Sequence, residues 1–335
     1  MAVAQKFVDS GVRYVMGPYC SGVTIPASRV YDNGGTLVST VGTNPKITQG
    51  GYKNLFRIVA SDEKAGSNMA GYAANVLKVK KVGVIDDRTA FGQGLAVLVR
   101  TREHTLIYDP GPLYSAESDA GQRVVVPFLR HVGLSRIDLM MVTHRDTDHS
   151  GGAASVLSAL RVDKVSSSLA DSLGEPCVAG QRWTWDGVAF EVLHPAAEAY
   201  AGNAKPNHLS CVLRIVAGGR RMLLTSDIEA PDEAALLQRY AGDLAADIML
   251  VPHHGSKTSS TPDFIKAVGA SEVIVPVGYR NRFGHPKPEV LARYEAQGSR
   301  LWRTDRDGAV RIELGGAMPS PAAWRQEHRR YWQGR

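Results

Sequence analysis

The chain is predicted to be an α/β protein: an αββα sandwich, two mixed sheets face to face with helices outside, preceded by a partial parallel sheet. Three observations carry that prediction. Six apolar, β-branched runs, at 104–109, 138–143, 211–216, 221–226, 246–251 and 272–277, are separated by helical stretches such as 232–240, the spacing of a layered α/β chain. The first 96 residues alternate short strand-like and helical segments, as a parallel sheet requires. His144, Asp146, Asp148 and His149 then crowd four metal-ligating side chains into six residues directly after one of the strand runs.

In chain order, Gly11–Pro18 reads as a strand, Thr24–Ser28 opens a helix, Thr36–Thr40 is a strand, Asp62–Leu77 a helix and Lys81–Ile85 a strand. His104–Asp109 is a strand ending in an Asp-Pro-Gly turn. Met140–Thr143 feeds the cluster His144–His149 and a Gly-Gly turn at Gly151 and Gly152. Arg221–Ser226 delivers Asp227, Ala246–Val251 delivers His253 and His254, and Val273–Val277 leads toward His285. Strands that each end in a polar side chain gather distant residues along one sheet edge, where layered folds place their chemistry. Two imidazoles and two carboxylates at this density repel and resist burial unless a cation joins them. Borderline divalent metals accept the mixture, zinc first and manganese second.

The run His144–His149 resembles the His-x-His-x-Asp-His loop of the metallo-β-lactamase fold, with Asp146 where most members carry the second His. With Asp119–Arg130, Asn207–Leu213, His253–Ser256 and Gly284–Pro286, it resembles the soluble C-terminal domain of ComEC-type DNA-uptake competence proteins over about residues 92–317. That resemblance implies a metal-dependent phosphodiesterase or nuclease acting on DNA, single-stranded by preference. The family's members are membrane proteins; their channel is missing from this sequence. The ligand set then implies two zinc or manganese ions, His144 and Asp146 holding one, Asp148 and His149 the other. Asp227 would bridge them, and His253 or His254 would complete a sphere. Asp146 in place of an imidazole hardens the site and favours manganese or magnesium relative to an all-His site. Asp148 and His285 are the catalytic candidates, His285 as proton donor or late ligand. Asn207, Ser210 and Ser256 are expected to line the substrate side.

Gly17–Gly22, Thr43–Pro45 and Phe91–Ala96 resemble the first lobe of a type I periplasmic binding protein for branched-chain amino acids. By that resemblance Ser21 and the 39–43 loop would touch a bound amino acid. The second lobe is missing, and half a cleft should bind weakly. Gly92–Ala96 fits both families, opening a helix in one pattern and a strand in the other, a conflict foldable sequences usually avoid. A chimeric reading frame is expected, with an adapted cap as the alternative. The organisation is then 1–96, a partial binding-protein-like lobe; 97–317, the hydrolase; and 318–335, a basic aromatic tail. Every candidate ligand lies between His144 and His285, so a chain cut near Gly92 is expected to keep the hydrolase whole.

Composition agrees with a globular chain: 335 residues, 44% hydrophobic, suit two domains. No apolar run approaches the ~18 residues of a membrane span, and Lys6 and Asp9 interrupt any secretion signal, so the sequence as written reads as cytoplasmic. Cys20, Cys177 and Cys211 form no pattern and are expected to be reduced thiols. The net charge of +6 is not a nucleic-acid footprint, because residues 1–96 hold eleven basic against six acidic side chains, leaving 28 against 27 for the rest. The Arg- and Trp-bearing tail 324–335 could hold single strands, but a disordered end or a helix docked by its tryptophans is the preferred reading. The alternatives to a DNA hydrolase are a small-molecule hydrolase of the same fold or an amino-acid-binding module.

Overall fold

The computed structural model describes residues 2–18, 21–59, 82–85, 95–169, 172–278, 281, 283–315 and 321–327. The expected helix 62–77, residues 92–94 of the two-family overlap, Cys20 and the tail beyond 327 lie outside the described residues. The chain divides into two compact units, Met1–Lys78 with His131–Gly133 and Val79–Arg130 with Leu134–Arg335.

In the smaller unit, β1 (Tyr14–Met16), β2 (Leu37–Thr40) and β3 (Leu55–Arg57) form a parallel sheet in that order. The helices Ser21–Asn33 and Lys46–Gln49 make the crossovers, and Ala27, Tyr31, Val38, Ile47 and Leu55 form a small core. Ser21 Oγ accepts from the amides of Thr43 and Asn44, each at 3.1 Å. It therefore ties down the loop that the binding-protein resemblance pairs it with.

The larger unit is the αββα sandwich. Its first sheet contains β4 (Val82–Ile85), β5 (Ala96–Arg100), β6 (Thr105–Pro110), β9 (Arg136–Val142), β10 (Arg161–Ser167), β11 (Glu175–Pro176), β19 (Val310–Ile312) and β20 (Ala322–Ala323). They run in the order β11-β10-β9-β6-β5-β4-β19-β20. A small hairpin, β7 (Leu113–Ser115) and β8 (Ser118–Asp119), stands apart. The second sheet runs in sequence order through β12 (Arg182–Trp185), β13 (Val188–His194), β14 (Val212–Ala217), β15 (Arg220–Leu224), β16 (Ile248–Leu250), β17 (Glu272–Val275) and β18 (Arg300–Arg303). Alternation along the strands sends one set of side chains inward and the other outward. Val97, Leu106, Tyr108 and Met141 of the first sheet meet Phe190, Leu213, Met222 and Leu250 of the second in the central layer. Outside, Ile107, Met140 and Val142 pack with Val126, Leu129 and Val156, and Leu223, Met249 and Val273 pack with Leu236, Phe264, Ile265 and Tyr294 of the covering helices. Among the described residues no helix is long and apolar enough to cross a membrane.

Two sequence expectations change here. The strand expected over 81–85 forms, but pairs antiparallel with β5 and β19 of the sandwich instead of joining the parallel sheet. Both of those strands offer backbone edges that β4 fills. Cutting near Gly92 would thus remove an inner strand. A chain beginning at Val79 is expected to outmelt one beginning at Gly92 by about 10 °C or more, measured by thermal unfolding; equal midpoints would mean that β4 contributes nothing. The second change concerns the thiols. Cys177 and Cys211 are joined in a disulfide with Cα atoms 6.1 Å apart. Nothing in the spacing announces it, because only the fold brings the end of β11 beside the start of β14.

Candidate metal centre

The predicted ligands converge at the ends of the sandwich strands. Asp148, His149, Asp227 and His254 each offer a donor atom, and these atoms all lie within 4.8 Å of one another. The short helix Thr147–Ser150 presents Asp148 and His149. It packs so tightly on the turn after β6 that a side chain at Gly151 would meet the Leu113 amide, and one at Gly152 the Pro110 carbonyl. The Gly-Gly pair therefore serves close approach, since neither residue has positive φ.

Each buried imidazole is locked from behind. The Nδ1–H of His149 donates to Asp109 at 2.8 Å, and that of His254 to the Pro276 carbonyl at 2.7 Å. Both acceptors lack protons, so in the neutral rings both Nε2 atoms carry lone pairs. Those two atoms face each other at 3.2 Å, with Asp227 Oδ1 at 3.3 Å from His149 and 3.5 Å from His254. Lone pairs and a carboxylate converging on one point repel unless a proton or a cation sits among them. On the other side of the carboxylate, Asp227 Oδ2 lies 3.9 Å from His144 Nε2 and 3.8 Å from His253 Nε2, and Asp146 lies 3.8 Å from His144. His144 Nε2 is buried with no hydrogen-bond partner. An orphaned buried nitrogen amid oxygen donors fits a divalent cation.

Burial and the site's own carboxylates pull its ionisable groups in opposite directions. Burial drives His144 down to about 3, with His149 adding to it. Burial acts the same way on His149, but Asp227, Asp109 and Asp148 outweigh it and raise the ring well above the usual imidazole value. Burial alone would raise Asp227; His149 and His254 instead hold it well below the carboxylate range. Partial burial and then Asp148 raise Asp146.

Backbone strain concentrates here. Asp109, Ser226, His253 and His254 all take positive φ, at 57°, 50°, 47° and 53°. Each costs on the order of 1–3 kcal/mol, which the surroundings must outweigh. The consecutive left-handed residues turn His253 and His254 to opposite sides of Asp227.

Sequence reading missed Asp109, although it noted the Asp-Pro-Gly turn. Its carboxylate accepts from the Thr143 amide at 2.7 Å, the Thr143 hydroxyl at 2.8 Å and His149. The available signal was an acid ending a fully apolar strand. Asp109→Asn is expected to weaken metal binding about 10- to 100-fold by misorienting His149, measured by calorimetric titration; unchanged affinity would sink this role. Glu229 was missed as well. It accepts from Thr258 Oγ1 at 3.0 Å and from the Asn207 amide at 3.4 Å.

The remaining candidates stand further out. Ser256 Oγ lies 3.1 Å from Thr258 Oγ1. Ser210 is fully buried, its hydroxyl without a partner and its carbonyl accepting from His194 at 2.9 Å. The His285 ring lies 6.1 Å from that of His253 and stacks on Phe283. Burial, then His254 and His253, lowers it to about 4.

The sequence pattern of the metallo-beta-lactamase superfamily matches residues 89–278, and that of periplasmic binding proteins matches residues 1–101. The two matches share residues 89–101. Competence protein ComA of Neisseria gonorrhoeae is 38% identical over 224 residues, covering 67% of this chain and 31% of that protein. An amino acid binding protein of Pseudomonas aeruginosa is 44% identical over 108 residues, covering 32% of this chain and 29% of that one. The chain therefore spans under a third of the length of either relative. Among solved structures, Tm1679, a metal-dependent hydrolase of the beta-lactamase superfamily, is 13% identical with a TM-score of 0.45, covering 70% of this chain and 98% of that one.

Proposed function

Because the chain belongs to the metallo-beta-lactamase superfamily, we propose that it is a hydrolase cleaving phosphodiester bonds of DNA with two divalent cations. The observation that carries this reading is the two-sided Asp227, with His149 and His254 at one carboxylate oxygen and His144 and His253 at the other. A shared carboxylate between two donor groups suits a pair of ions, the arrangement phosphodiester cleavage uses to steady attacking and departing oxygens. His149, His254 and Asp148 would hold one ion, His144 and Asp146 the other, Asp227 both. Bound there, the cations supply Lewis acidity toward a phosphoryl oxygen and toward water. DNA as substrate follows from the resemblance to DNA-uptake competence proteins, a context that relatives such as Competence protein ComA of Neisseria gonorrhoeae share.

The protein's own side chains do the positioning. Asp109 and the Pro276 carbonyl fix the ring tautomers, so no reorientation is needed when substrate arrives. His285, neutral at pH 7 with its value near 4, would donate a hydrogen bond to a phosphoryl oxygen and is a poor standing proton donor. The test is cleavage of end-labelled single-stranded and duplex DNA by the purified chain with manganese, zinc or a chelator. Metal-dependent cutting, faster on single strands, is expected. A folded, metal-loaded protein that leaves both DNAs intact would refute the substrate.

A further inference from the structure

We propose that Glu229 is a positioning residue that assigns His253, and not only its neighbour His254, to the metal centre, as a ligand on the Oδ2 side of Asp227 beside His144 and Asp146. The proposal rests on the metal-dependent reading but not on the identity of the substrate.

The argument starts from the backbone. Two histidines in succession on a regular strand would point to opposite faces, and on a helix they would diverge by about 100°. Here both lie in the left-handed region, a conformation β-carbon-bearing residues adopt only under constraint. The result is that His254 Nε2 approaches Asp227 Oδ1 at 3.5 Å while His253 Nε2 approaches Asp227 Oδ2 at 3.8 Å. Each ring is then held from behind by a different device. A main-chain carbonyl holds His254, whereas a side-chain pair holds His253: its Nδ1 lies 3.3 Å from Glu229 Oε1 and 3.1 Å from Thr258 Oγ1. Thr258 itself donates to the same Glu229 oxygen at 3.0 Å. Thr258 donates to the carboxylate and so turns its own lone pair to Nδ1, which fixes the proton there and leaves the Nε2 lone pair facing inward, the support that metal-ligating histidines use.

The need for such a ligand is also local. His144 and Asp146 are two donors, Asp227 Oδ2 a third, and His144 Nε2 is buried without a partner. Asn207 and Ser210 come from the loop before β14, but neither supplies a donor: Asn207 turns its amide to Glu229 and Ser210 is sealed inside. Besides His144, His253 is the imidazole among the described residues whose Nε2 faces this side of Asp227.

The experiment is metal stoichiometry and affinity in the full chain, using manganese and zinc salts alone as probes, by mass spectrometry after dialysis and by calorimetry. The parent is expected to bind two ions. His253→Ala and Glu229→Ala should keep one tight ion and weaken the second about 10- to 100-fold. Glu229→Gln, whose carbonyl oxygen can still accept from Thr258 Oγ1, should recover part of that loss, and Thr258→Val, which removes the hydrogen-bond partner of His253 Nδ1, should show a loss of its own. Circular dichroism and thermal unfolding accompany each variant; if Glu229→Ala fails to fold, Glu229→Gln and Thr258→Val decide. Two ions at parental affinity in the folded His253→Ala and Glu229 variants would overturn the proposal, as would a parent that saturates at one ion. Loss of the second ion in a protein that never cuts DNA would uphold this assignment and end the nuclease reading.

Discussion

Asp227→Asn is expected to abolish metal-dependent hydrolysis, lowering kcat/KM by about a thousandfold or more, the equivalent of about 4 kcal/mol. The substitution keeps the shape of the side chain and removes the charge that both donor groups face. Asp227 is 4% exposed and lies within 3.3–3.9 Å of His149, His254, His253 and His144. Asp109 cannot take its place, because it is already engaged by Thr143 and His149. Asp148→Ala and His149→Ala should behave alike, each removing a donor from the same group. Cleavage rates and bound metal, measured together on protein whose circular dichroism is unchanged, test this. A metal-loaded Asp227→Asn variant within tenfold of the parent would mean that the site is not where the chemistry happens.

The second large effect concerns stability. Cys177 and Cys211 close a loop with a sequence separation of 34. Loop-closure entropy for that length is worth roughly 3–4 kcal/mol, which in a unit of this size lowers the melting temperature by about 10 °C. Cys177→Ala with Cys211→Ala, or the parent under strong reductant, should show that drop. The loosening reaches the metal centre, because the Cys211 amide donates to the Thr143 carbonyl at 3.2 Å and the Tyr108 hydroxyl donates to the Cys211 carbonyl at 2.6 Å. Melting unaffected by reductant, with both thiols free in the denatured parent, would show that the bridge does not form.

The sandwich was legible where a strand is apolar on both faces. Runs such as Met140–Val142 and Ile248–Leu250, buried between a second sheet and a helix layer, stand out whatever their neighbours. The hairpin of β12 and β13 escaped notice although Asp186-Gly187 marks its turn, because the exposed Arg182 and Thr184 dilute the apolar signal of β12. The metal loop was legible because ligand density is a local property. Asp109 and Glu229 were not, since a residue that supports a ligand is recognised only by what the fold sets beside it. The disulfide belongs with them. Which partners β4 takes was equally hidden: a four-residue strand carries no mark of the sheet it will join.

That pairing of β4 has a consequence in time. Val84 meets Val310, far along the chain, so this part of the first sheet cannot close until β19 has been synthesised. Contacts of such long sequence separation are slow to form, because loop closure must come before any reward. Until β19 arrives, β4 presents an open strand edge while the rest of the sandwich is already able to collapse. Nascent or stalled chains therefore carry a sticky margin that the finished protein hides. Yield should be more sensitive to expression temperature and chaperone supply than the stability of the folded unit would suggest, and truncation before Val310 should send the product into aggregates.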